Sequence, residues 1–76
     1  MNNYKTGKVY KIEKENGVGY VVDGEEKYLF TSEDQYTDFD NLEKSDEVRF
    51  RAEKVEDINR AFFVKKELKN KKTNLN

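Results

Sequence analysis

Seventy-six residues allow one small domain, able to bury roughly 60% of its unfolded surface, and five Phe and five Tyr supply core area that an apolar share of 34% would otherwise lack. With no Cys and no His, disulfides, a zinc centre and a Ser-His or Cys-His nucleophile are excluded. The net charge of −1 conceals a division: +2 over residues 1–22, −8 over 23–47 and +5 over 48–76, so neither a uniformly basic nor a uniformly acidic surface is expected.

The start, "MNNYKTGKVY", lacks the apolar core of a signal peptide, and no stretch reaches the roughly 20 apolar residues that span a bilayer. A cytoplasmic protein without membrane contact is expected. "GKVYKIEK" (7–14) predicts the first strand, with Val9, Tyr10 and Ile12 set among lysines. "GVGYVV" (17–22) and "KYLFT" (27–31) predict two more, joined by "DGEE", whose Asp-Gly is a strong hairpin signal. The two glycines of "NGVGYVV" raise the question of a phosphate-cradling loop. Such a loop needs a following helix, and a hairpin follows here, so they read as bare patches on a curved strand that let a flat ligand approach.

"SEDQYTDFDNLEKSD" (32–46) has no sustained period and many Asp, Asn and Ser, which predicts a long loop with room for one helical turn. "EVRFRAEKV" (47–55) alternates: Val48, Phe50 and Ala52 to the core, Glu47, Arg49, Arg51 and Glu53 to solvent, where cross-strand ion pairs are expected. After a turn at 56–59, "RAFFVKKEL" fits a helical stripe or a strand. Its aromatic and β-branched content favours a strand to about residue 67, with a Lys/Asn-rich tail fraying over 68–76. Five short strands with no covering helix predict an all-β fold, a small five-stranded antiparallel barrel in which closure removes the exposed edges.

Nothing pairs two carboxylates in a desolvated pocket, so no enzyme and no cofactor is expected. "DFDNLEKSDE" is oxygen-rich but lacks the Gly and ligand spacing of a calcium loop, so no metal is expected either. Lys65, Lys66, Lys69, Lys71 and Lys72 offer non-specific RNA contact or simply a soluble end.

"GKVYKIEKENGVGYVV", "KYLFTSED", "FDNLEKSDEVRF" and "RAFFVKK" together resemble the successive blocks of the bacterial cold-shock domain, over about Thr6 to Lys66. That resemblance implies an OB-fold barrel over 1–67 whose first three strands stack bases of single-stranded RNA or DNA on aromatic rings beside lysines. Carried onto this chain, Lys8 keeps its identity, Lys11 stands at the usual Trp position and Ile12 at the core Phe. Asn16 replaces the Lys of the second-strand motif, Val18 replaces its first ring, and Tyr20 keeps an aromatic.

In the third strand, Leu29, Thr31 and Ser32 take the contact positions while Tyr28 and Phe30 point inward, or a shift of one or two residues returns Phe30 to the surface. Phe39 matches a loop position that adds a stacking ring. The implied nucleic-acid-binding set is Lys8, Tyr10, Lys11, Val18, Tyr20, Leu29, Thr31 and Phe39, with Tyr10 and Lys11 compensating for lost rings.

The function implied is weak, sequence-tolerant single-strand binding by a monomer, RNA ahead of DNA. The alternative is a cold-shock-like fold that binds a protein through its acidic 33–47 loop or Lys-rich end and no longer binds nucleic acid, since an eight-charge negative excess would repel a phosphate backbone passing near it.

Overall fold

Val9, Tyr10 and Ile12 fall within one long strand, β1 (Tyr4–Glu13), of the computed structural model, which describes residues 4–67. β-branched and aromatic side chains suit a pleated, half-buried surface. β1 begins three residues earlier than the periodicity suggests because it serves two partners. Tyr4 to Lys8 pair with β4 (Glu47–Val55), and Lys8 to Glu13 pair with β2 (Val18–Asp23). Between the registers Val9↔Val21 and Lys11↔Tyr20 the ladder slips, leaving Tyr10 as an extra residue in a bulge.

β2 returns as β3 (Glu26–Thr31) through Gly24 and Glu25, with Asp23 opposite Glu26. Gly24 takes a φ of 64°, the positive first position of a type II′ hairpin, so the Asp-Gly signal acts as read. Another two-residue hairpin joins β4 to β5 (Ile58–Lys66), with Val55 opposite Ile58. Glu56 and Asp57 both have positive φ, 53° and 69°, the type I′ pattern without glycine. The last segment is therefore a strand, as its aromatic content favours, and it starts two residues before Arg60. The tail expected to fray, 68–76, lies outside the described residues.

The strands close into a barrel in the order β1-β2-β3-β5-β4, the all-β OB-fold-like architecture expected. One detail is corrected: the barrel is not antiparallel throughout. β3 and β5 run parallel, meeting at Leu29↔Arg60. Parity requires it, because an odd number of strands in a ring cannot all oppose both neighbours.

Alternation fills the interior as predicted on β4, where Val48 and Phe50 are fully buried and Ala52 half-buried. On β3 Tyr28 and Phe30 point inward and Leu29 and Thr31 outward, so the unshifted third-strand register is the one adopted. Tyr28 packs tilted on Phe50 with ring centres 5.1 Å apart, and Phe30 meets Phe39 edge-on at 5.8 Å. The outer face of β4 differs from expectation. Arg51 pairs with Glu53 along its own strand at 2.7 Å rather than across strands, and Arg49 lies over the Tyr4 ring.

The 32–46 loop carries a single 3₁₀ turn, Phe39–Asn41, and is fastened to the barrel. Phe39 and Leu42 join the core, and Thr37 is buried. Asp34 organises the rest: its carboxylate accepts the Phe63 N–H at 2.7 Å, the Thr37 hydroxyl at 2.8 Å and the Tyr36 N–H at 3.1 Å. Burial alone would raise its pKa. The hydrogen bonds from Phe63, Thr37 and Tyr36, with the Arg60 charge, outweigh that and hold the carboxyl below its ordinary value. Among the described residues no helix is long and apolar enough to cross a membrane.

Candidate functional site

Three strands build the outer face on which most of the predicted residues converge. The pleat sends alternate side chains of β2 and β3 outward, so Val18 and Tyr20 stand beside their partners Thr31 and Leu29. Tyr20 is 37% exposed, while Val18, Leu29 and Thr31 are half-buried and form its apolar surround. From β1 the bulge turns Tyr10 outward, 50% exposed, next to Lys11, which pairs with Tyr20 across the ladder.

Tyr10, Lys11, Tyr20 and Lys27 line one shallow open groove of about 410 Å³. Lys27 reaches it from the start of β3, its ammonium 4.8 Å from the centre of the Tyr10 ring. Lys27 was missed in the sequence, although it lies two residues from Leu29 and so on the same face. Lys11 is held by Glu13 at 3.2 Å. Glu13 in turn lies below the ordinary carboxyl range, first through the Asn16 hydrogen bond and then through Lys11.

Two predicted residues stand elsewhere. Lys8 is exposed on β1 but lines a neighbouring groove with Thr6, Gly7, Glu47 and Glu67. Phe39 is corrected outright: it is 6% exposed, edge-on to Phe30 inside the barrel mouth, and offers no open ring. Burying a phenyl group is worth about 1.5–3 kcal/mol, and the fastened loop carries it inward. Lys14 caps it from outside, 5.9 Å from its centre, while donating to the Asp40 carbonyl at 2.9 Å.

The glycines also act differently from the bare-patch reading. Gly17 takes a φ of 70° in the β1–β2 turn, a conformation other residues adopt reluctantly. Gly19 is buried, and a Cβ there would lie 2.5 Å from the Phe30 ring, so its bareness admits a core ring from inside rather than a ligand from outside.

The face can therefore offer two exposed phenol rings, an apolar floor between strands and two lysines. Comparison with family models and with curated proteins finds no match.

Proposed function

We propose that this chain is a single-stranded nucleic-acid-binding protein of the cold-shock type, weak and sequence-tolerant, with RNA favoured over DNA. The observation that carries the proposal is the placement of Tyr10, Lys11, Tyr20 and Lys27 around one groove on the β1–β3 face of a closed five-stranded barrel. Rings of this kind stack on any base and ammonium groups neutralise phosphates, so recognition needs no hydrogen-bond code. With Phe39 inside the core, the platform has two rings, Tyr10 and Tyr20, beside Val18, Leu29 and Thr31. Lys8 flanks it. Weak binding follows from the short platform, since each stacked base contributes about 1–3 kcal/mol. A cytoplasmic monomer without cofactor or catalytic chemistry belongs to the same reading.

Titration of labelled protein with short oligo-U and oligo-dT at low salt tests it. Amides around Tyr10, Tyr20 and Lys27 are expected to shift saturably, the shifts to weaken as salt rises, and Tyr20→Ala to lower affinity about 5- to 100-fold. Unmoved amides at high oligonucleotide concentration would sink the proposal.

A further inference from the structure

A second aromatic cluster lies on the other side of the barrel, where β1, β4 and β5 meet. Tyr4 opens β1 and is 45% exposed, and Tyr36, in the loop, is 56% exposed. Phe63 stands between them on β5, perpendicular to Tyr36 at 5.3 Å. Guanidinium groups cover rings on this face, Arg49 at 5.9 Å from the centre of Tyr4 and Arg51 at 5.7 Å from that of Phe63. Lys65 completes a groove of about 360 Å³ with Tyr4, Tyr36 and Phe63.

One extra residue on β5, between the partners of Arg49 and Arg51, makes a bulge that turns both Ala61 and Val64 into the core and leaves Phe63 outside. Phe63 has a φ of 58°, left-handed backbone that a bulky residue adopts at a cost of order 1–3 kcal/mol, and its ring is half-buried on the outside rather than in the core. Asn would take that backbone more readily. Instead the loop clamps the bulge: Asp34 accepts the Phe63 N–H, the Thr37 hydroxyl accepts the Val64 N–H at 3.0 Å, and the Asp38 N–H returns to the Val64 carbonyl at 3.0 Å. The same Asp34 fixes Tyr36 through its N–H. The clamp thus seats Val64 in the core and, on the outer side, fixes Phe63 beside Tyr36.

We infer that this groove is a docking site for an acidic peptide segment of a partner protein, one apolar side chain entering between Tyr4 and Tyr36 against Phe63 and flanking carboxylates meeting Arg49 and Lys65. Charge complementarity commits the occupant to that class. Among the described residues Arg51 is paired with Glu53, whereas Arg49 and Lys65 are in no ion pair. The ring geometry argues against a nucleic acid, because perpendicular rings under guanidinium groups form a slot rather than an open stacking platform. The chain's own segment 68–76 carries three lysines and no acid, the same sign as the patch. Tyr, Phe and Arg in one concavity are also the residue types that dominate protein interfaces. The inference is independent of nucleic-acid binding on the β1–β3 face.

Selection of a phage-displayed library of random peptides against the full chain tests it. Acidic sequences with an apolar or aromatic anchor are expected to be enriched, and the synthetic peptides to shift amides of Tyr4, Tyr36 and Phe63. Phe63→Asn and the pair Arg49→Glu with Lys65→Glu should each weaken binding at least about tenfold. Phe63→Asn should not lower the urea midpoint, because Asn relieves the left-handed strain. A clear drop in that midpoint would make the ring a structural residue and overturn the proposal. So would enrichment of non-acidic peptides, binding indifferent to the variants, oligo-dT shifts centred on this groove, or concentration-dependent self-association through it.

Discussion

Gly19 sits where the outer face of β2 passes over the core, and its missing side chain decides how close Phe30 can come. A Cβ would meet Phe30 Cζ at 2.5 Å, Phe30 Cε1 at 2.8 Å and the Lys11 carbonyl oxygen at 3.0 Å, and Phe30 is fully buried with no free direction to yield. Gly19→Ala is expected to destabilise the fold by about 1–3 kcal/mol, the usual cost of overpacking, read as a lower urea midpoint at unchanged slope. An unchanged midpoint would show that the ring moves aside. This inward role was open to sequence reasoning, since an outward Val18 and Tyr20 leave Gly19 facing in by strand alternation alone. Phe39 was not. It lies in a stretch without period, so no pattern in the chain tells which way its ring turns, and burial by loop fastening depends on the contacts of Asp34 and Thr37 with Phe63 and Val64, distant in sequence.

At the scale of elements, the loop after β3 and the bulge of β5 form one unit through Asp34. One carboxylate oxygen accepts from both Phe63 N–H and Thr37 hydroxyl, and the other from Tyr36 N–H. In Asp34→Asn an amide NH₂ must replace an accepting oxygen, leaving a donor against a donor. A loss of about 1–3 kcal/mol at neutral pH is expected. The pH dependence has a definite sign. The folded-state pKa is depressed, so the carboxylate's contribution is complete above the unfolded value near pH 4, about the ordinary Asp pKa, and disappears as pH falls through the lower folded value. Denaturation midpoints of wild type and Asp34→Asn should converge in that acid window. A gap that stays constant with pH would show that the charge plays no part.

The strands themselves were legible from alternation and turn chemistry, down to the Asp-Gly hairpin. The consecutive Phe62 and Phe63 were not separable, because a bulge breaks the period by which inside and outside are assigned, as the register shift between Arg49 and Arg51 records. The same break hid the cluster around Phe63 from a reading that looked for rings on the first three strands.

The described residues, 4–67, form one closed layer around one core. A chain of this length has about 4–11 kcal/mol of stability to lose. Phe50 is fully buried and packs on Tyr28 across the barrel. Phe50→Ala removes about 3–5 kcal/mol and is expected to lower the melting midpoint by more than about 10 °C, both outer faces failing together in one transition. Circular dichroism melting would check it, and retention of either binding surface in the unfolded fraction would contradict the single-unit view.

If the proposed function holds, the anchored acidic loop also limits the path of a bound strand. Thr37, Phe39 and Leu42 hold that loop against one end of the β1–β3 face, and Asp23, Glu25 and Glu26 stand in and beside the β2–β3 turn at the other. The carboxylates at the loop end are set on a fastened segment instead of sweeping through solvent. A polyanion resting on Tyr10 and Tyr20 would meet negative charge whichever way it ran along the strands, whereas Lys11 and the Lys27 ammonium, held over Tyr10, lie between the two walls. In that reading a bound strand crosses β1 to β3 between the two acidic ends instead of running along them.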